Sequence, residues 1–174
     1  ILGTGSVGQT IGTALIAKGH EVMMGSRSAS NEKAKAWVAK NGANAGNGTF
    51  GEAAKFGDLI FICLNGSIIP VALQQAGAAN FIDKVVIDVT NPLDFSHGMP
   101  PSLLPQYCNT YSLGEEIQKL LPDAKVVKGL NTVTANLMVN ANLVNDGNHN
   151  LFICGNDMDA KNKVKHLLAD NFNW

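Results

Sequence analysis

Short apolar runs alternate along the chain with segments in which apolar side chains return every three or four positions, the first pattern belonging to strands and the second to helices. Strands are expected at residues 1–2, 21–24, 59–64, 85–89, 125–130 and 151–154, with a short one near 43–45. Between the first two, Val7, Ile11, Ala14, Leu15 and Lys18 trace one helical stripe, and Gly19 is placed to stop that helix. Further helices are expected at 31–40, 68–75, 113–121, 134–141 and 157–170, the last with Asp157 as N-cap and Ala160, Val164, Leu167 and Leu168 as its buried stripe. Met23, Met24 and Phe152 fit the core. Strands separated by helices favour a parallel sheet. Four of the six prolines fall between Pro92 and Pro105, so residues 90–112 read as a long irregular connection leaving the carboxyl end of a strand.

Gly3-Thr4-Gly5-Ser6-Val7-Gly8 matches GxGxxG and lies between the first apolar run and the first helix, the setting a dinucleotide fingerprint requires. The expected fold is therefore α/β, of the Rossmann-type doubly wound kind, with a mostly parallel sheet and helices on both faces. Gly3 permits the tight turn, Gly5 lets backbone approach a pyrophosphate, and Gly8 lets helix pack on strand. The free N–H groups at the helix start then face the phosphates. Gly12 extends the small-residue pattern as a packing position.

An NAD-binding chain would place an acid at the end of the second strand to hold the ribose 2′-hydroxyl. Here the stretch reads Met23-Met24-Gly25-Ser26-Arg27-Ser28-Ala29-Ser30, with the nearest acids at Glu21 and Glu32. A guanidinium beside hydroxyls suits a 2′-phosphate instead, so Ser26 and Arg27 are expected to clamp NADP(H), with Ser28, Asn31 and Lys33 as further contacts. A methyltransferase using S-adenosylmethionine also begins with a glycine loop, but it too wants the missing acid.

Composition narrows the picture further. A chain of 174 residues, 45% hydrophobic and 16% charged, has material for one core, and residues 1–174 are read as a single NADP-binding domain, trimmed at one or both ends. A net charge of −1 offers no basic surface for nucleic acid or anionic membrane, and no apolar run approaches a bilayer span, which points to a cytoplasmic protein. Cys63, Cys108 and Cys154 are odd in number and widely spaced, which suits reduced thiols, and no metal-binding spacing occurs.

The combination GTGSVG, GHEVMMGSR, DVTNPL and KGLNTVTANLM resembles the F-420-dependent NADP reductase family, which also includes the cytosolic domains of membrane metalloreductases. The resemblance covers almost the whole chain. It implies that Thr4, Gly5, Ser6 and Val7 meet the pyrophosphate side, that Ser26 and Arg27 meet the 2′-phosphate, and that Leu64, Asn65, Thr90, Asn91 and Pro92 line the nicotinamide ribose and ring. One departure touches the acceptor side, where Leu64-Asn65-Gly66-Ser67 replaces a proline-containing turn. The implied activity is hydride transfer between nicotinamide and a deazaflavin- or flavin-like acceptor, or a small carbonyl or imine compound; a homodimer is implied as well.

Such a reaction asks the protein to align two rings and needs no triad, and none can be assembled from the sequence. His97 has two readings, a proton donor near Asp94 or a solvated loop residue. His20 is placed to meet the end of the preceding helix, His149 and His166 read as surface residues, and Asn131 and Thr132 are placed to reach a bound acceptor. The competing function is a noncatalytic NADP(H)-sensing module built on the same pocket.

Overall fold

In a computed structural model describing residues 1–174, the helices and strands alternate as their periods predict. In chain order they are α1 (Ser6–Ala17), β1 (Val22–Ser26), α2 (Glu32–Asn41), β2 (Ala45–Thr49), α3 (Phe50–Phe56), β3 (Leu59–Ile62), α4 (Ile69–Ala76) and β4 (Val85–Asp88). There follow β5 (Leu93–Asp94), β6 (Ser102–Leu103), α5 (Leu113–Leu120), β7 (Lys125–Lys128), α6 (Ala135–Met138) and α7 (Met158–Phe172).

Parallel pairing joins β1 to β2, β3 to β4 and β4 to β7. The N-terminal residues bridge the two groups, because Leu2 pairs with both Gly25 and Ile62 in parallel. Its amide donates to Phe61 O at 2.8 Å and its carbonyl accepts from Cys63 at 2.8 Å, while Gly25 N–H donates to Ile1 O at 2.7 Å. The order is thus β2, β1, Leu2, β3, β4, β7, and the chain reverses direction of winding at Leu2. That crevice is the topological switch point, where doubly wound sheets place their ligands.

Neighbouring side chains on each central strand go to opposite faces. Val85 and Ile87 join Ile11, Leu15, Trp37, Val164 and Leu168 on the face covered by α1, α2 and α7. Val86 and Val126 join Phe50, Ile69, Leu73 and Ile117 beneath α3, α4 and α5. Helices on both faces explain why these strands are continuously apolar rather than alternating.

Helix boundaries follow their caps. Asp157 accepts from Ala160 N at 2.7 Å and opens α7 as expected, and Asn31, expected inside α2, caps it instead by accepting from Ala34 N at 3.0 Å. Gly19, at φ +89°, ends the first helical segment. Gly12 has the packing role expected of it, since a Cβ there would lie 2.7 Å from the Trp37 ring.

Several expectations are corrected. Helix α3 went unread although Thr49 and Glu52 form a capping box, with Thr49 N–H donating to the Glu52 carboxylate at 2.7 Å. The proline-rich connection is not wholly irregular, because β5 and β6 pair antiparallel within it. The helix expected at 134–141 shrinks to α6, since Asn140 turns its side chain onto the Asn142 amide and competes with the helical ladder. The strand expected at 151–154 is a single antiparallel bridge between Lys128 and Cys154 at the sheet edge, which leaves Phe152 82% exposed rather than in the core. The His20 backbone N–H donates to Leu15 O at 3.1 Å at the end of α1, while its ring bonds Asn171 of α7 at 2.9 Å, and His149 stacks edge-on against Trp174 rather than standing free. No helix is long and apolar enough to cross a membrane.

Candidate functional site

The glycine turn is shaped by contacts that only glycine allows at two of its positions. Gly3 sits at φ +122°, and a Cβ there would lie 2.3 Å from the Cys63 carbonyl oxygen. At Gly8 a Cβ would come within 2.4 Å of the Gly3 carbonyl oxygen, so α1 lies directly on the turn that precedes it. Gly5 differs. Its φ of −76° suits any residue, and nothing stands within 4 Å of a Cβ built there. The fold leaves that space open beside the first turn of α1, which has no side-chain cap and no acidic residue. Gly5 and Ser6 are exposed, Thr4 and Val7 half-buried, and Thr4 O accepts from Gln9 at 3.0 Å.

The end of β1 adjoins this turn, because Gly3 N–H donates to Gly25 O at 2.9 Å. Ser26 is 5% exposed and its hydroxyl donates to Ser28 O at 2.7 Å, so it shapes the loop. The Ser28 and Ser30 hydroxyls bond each other at 2.7 Å, and Asn47 holds Ala29 O at 2.7 Å from the neighbouring strand. Arg27 is exposed and takes no part in either ion pair of the molecule, Lys35–Glu32 or Lys128–Asp88. Of the two residues expected at the 2′-phosphate, it is the one presented outward.

Beyond β3 and β4 the predicted residues meet in one continuous rim. A Cβ on Gly3 would lie 3.2 Å from Leu64 Cδ2, and one on Gly66 would lie 2.6 Å from Pro92 Cα and 2.8 Å from Asn91 O. Asn65 accepts from the Ser67 amide at 3.0 Å and the Ser67 hydroxyl at 2.9 Å, which shapes the turn after β3. Asn91 donates to Asn131 O at 2.7 Å, and Asn131 returns a bond to Asn91 Oδ1 at 3.1 Å. All thirteen predicted residues therefore lie along the carboxyl ends of the central strands.

Under this rim lies a group that the sequence reading passed over. Asp88 is fully buried, and its Oδ1 accepts from Thr90 N–H at 2.9 Å and from the Thr90 hydroxyl at 2.7 Å. Its Oδ2 accepts from Lys128 Nζ at 2.8 Å, and Lys128 also donates to the Thr90 carbonyl. The signal was present in the chain, since an acid and a lysine each interrupt an apolar strand run, and such charges are buried only when paired.

A cavity of about 1040 Å³ runs from Asn91 and Pro92 along α5 to Ala124 at the base of β7. Leu103, Tyr107, Leu113 and Lys128 line it. It shares only Asn91 and Pro92 with the predicted residues.

Acid–base candidates are few. Asp94 is held below the usual carboxylate range chiefly by the Ser96 amide, which donates at 2.9 Å, and His97 beside it is exposed. Burial pushes the Cys63 thiol up to about 12, so it stays protonated and unreactive at neutral pH. All three cysteines are free, and no cluster of three potential metal ligands occurs.

Comparison with known proteins places this geometry among relatives. The family model for coenzyme F420-dependent NADP oxidoreductases matches residues 1–92. A crystal structure from Arthrobacter sp. FB24, assigned as an F420-dependent NADP-reductase, is 42% identical and superposes with a TM-score of 0.89 over 97% of this chain and 78% of that one. The metalloreductase STEAP3 of Rattus norvegicus is 28% identical over 172 residues, 96% of this chain but 30% of that protein, so the chain spans less than a third of it. A reductive aminase from Aspergillus terreus in complex with NADPH shares the fold, at 19% identity and a TM-score of 0.64 over 97% of this chain and 50% of the aminase.

Proposed function

The chain belongs to the coenzyme F420-dependent NADP oxidoreductase family, and on that premise we propose that it transfers hydride between NADP(H) and a deazaflavin- or flavin-like acceptor held at the rim beyond β4. When bound, the nicotinamide ring supplies the hydride donor or acceptor carbon. The chain's own residues bind, orient and exclude water.

The observation carrying this reading is Gly5, a glycine that neither conformation nor packing of the fold demands. Its open space beside the uncapped start of α1 suits a pyrophosphate, which would accept from the free N–H groups of the first helical turn. Arg27, outward and free of any acid, suits the 2′-phosphate, with the Ser28 and Ser30 hydroxyls beside it. Leu64 and Pro92 offer apolar surface toward the nicotinamide, and Asn65 and Asn91 offer amide groups to its ribose and carboxamide. The cavity beyond Asn91 and Pro92, about 1040 Å³ in volume, supports placing an acceptor of flavin size on that side. A reaction between two aligned rings also fits the scarcity of acid–base groups around the rim.

Titration calorimetry tests the cofactor assignment. NADPH is expected to bind more tightly than NADH, and Arg27→Ala to weaken NADPH by roughly 1–3 kcal/mol while leaving NADH nearly unchanged. Equal losses for both would remove Arg27 from the clamp. Absorbance at the reduced-nicotinamide band, followed with deazaflavin, flavin, carbonyl and imine compounds, then identifies the acceptor; tight binding without turnover would favour the sensing function.

A further inference from the structure

We propose that Asp88 and Lys128 are positioning residues, which hold the Thr90-Asn91-Pro92 turn and the Leu130-Asn131 turn as one rigid cradle for the nicotinamide end of the cofactor. The inference rests on the cofactor reading above. It assigns work to two residues that lie beneath the rim, outside the residues expected to meet the cofactor.

The two are register partners on adjacent strands, at the last position of β4 and of β7. Both oxygens of the buried carboxylate are used, Oδ1 by the amide and hydroxyl of Thr90 and Oδ2 by the ammonium. The ammonium in turn reaches back to the Thr90 carbonyl, so Thr90 is gripped at its N–H, its hydroxyl and its C=O. A residue held at three points has little freedom to turn, and the peptide leading into Asn91 is set with it. No buried side-chain nitrogen or oxygen in the molecule lacks a partner, so the network is closed rather than half-made.

The second turn is locked to the first. Gly129 N–H donates to Asp88 O at 3.1 Å, and beyond it the Asn91 side chain donates to the Asn131 backbone carbonyl and accepts from the Asn131 side-chain amide. Between these ties Leu130 is fully buried at φ +63°, a left-handed conformation that branched side chains rarely adopt. Such a conformation persists only where its surroundings over-determine it. An ion pair to a buried carboxylate is a poor source of net stability, because desolvation offsets much of the attraction, yet the pair here, with Asp88 buried and Lys128 partly exposed, is directional and fixes geometry. An apolar pair would fill the same strand ends without gripping Thr90.

The test separates the two ends of the cofactor. NADPH carries both, whereas adenosine 2′,5′-bisphosphate carries only the 2′-phosphorylated adenosine end. Lys128→Met is expected to weaken NADPH about tenfold, the scale of one lost charge-assisted hydrogen bond. Binding of adenosine 2′,5′-bisphosphate should stay within about twofold, and the emission of bound NADPH should move toward that of the free dinucleotide. Lys128→Arg, which keeps the charge, should recover most of the NADPH affinity. Equal loss of both ligands, or loss of neither, overturns the proposal. Should Lys128→Met fail to melt cooperatively, Asp88→Asn is read in the same assay, since it keeps volume and the acceptor toward Thr90 while cutting the ionic link; wild-type binding of both ligands by that variant overturns it equally. If the unaltered protein binds neither ligand, the cofactor reading falls and takes this one with it, whereas selective failure of the variants sinks this one alone.

Discussion

The turn after the N-terminal strand and the turn after β4 face each other across the switch point and are built by opposite means. The first is steric and carried by a short motif: Gly8 lies against the Gly3 carbonyl oxygen within six residues, and Gly3 itself lies against the Cys63 carbonyl oxygen after β3, both at distances that no Cβ would survive. The second is electrostatic and distant in sequence, its shape depending on Lys128, which lies 38 residues beyond the Thr90 carbonyl it holds. A steric device is carried by residue types that have almost no other reason to occur together, so it is recognisable from the chain. An ionic device is carried by common residues whose meaning appears only when two strands are placed side by side.

The largest expected effect separates the fold's demand for glycine from the ligand's. Gly3→Ala must relieve both a left-handed φ of +122° and a contact of 2.3 Å with the Cys63 carbonyl oxygen just beyond β3. Its cost is expected to be about 4 kcal/mol, combining backbone strain with overpacking. Urea denaturation measures it, and a loss below about 1 kcal/mol would mean that the turn rearranges freely.

How much was legible follows the same division. The order of the main helices and strands, the cap Asp157, and the glycine turn all rest on short-range patterns and were readable. Helix α3 was equally readable from Thr49 and Glu52, but its seven residues are too few to establish a period. The β5–β6 pairing was hidden because two-residue strands have no pattern of their own. Phe152 misled because an aromatic in an apolar run suggests burial, whereas the sheet ends at that edge. For the site, the residues of the rim could be named in advance, and the structure brings them together. What holds them there could not, since Asp88, Gly66 and Lys128 act through partners on other strands and turns.

A smaller effect sharpens the contrast inside the glycine turn itself. At Gly5→Val the added Cβ meets no neighbour within 4 Å and φ stays ordinary, so the cost to stability should stay below about 1 kcal/mol, the scale of a weakened N-cap. The side chain would instead occupy the space offered to the pyrophosphate. Affinity for NADPH and NADH should therefore fall together by about 2 kcal/mol, from lost amide contacts. Titration curves identical to the unaltered protein would show that the open space beside α1 is not where the phosphates lie.

The smallest effect shows that the β4 side also contains a local device, at the start of the helix that borders the cavity. Ser112 accepts from Glu115 N at 3.2 Å, and the Glu115 carboxylate accepts from Ser112 N–H at 2.8 Å, closing a capping box on α5. Ser112→Ala is expected to cost about 1 kcal/mol at neutral pH. The dependence on pH identifies the mechanism. Glu115 is held below its ordinary value of 4.5, first by the Ser112 hydroxyl and then by its backbone amide. A depressed folded value means the ionised carboxylate favours the folded state, so this contribution is complete above the unfolded value and disappears as pH falls through the folded one. The substitution raises Glu115 toward its ordinary value, and the stability gap between the two proteins should consequently narrow on acidification below 4.5. Urea titrations at neutral pH and at about pH 3.5 make the comparison, that lower pH lying beneath the usual carboxylate range. A gap of constant size would assign the loss to the hydroxyl's bond from the Glu115 amide alone, and the start of α5 would then be as insensitive to charge as the glycine turn opposite.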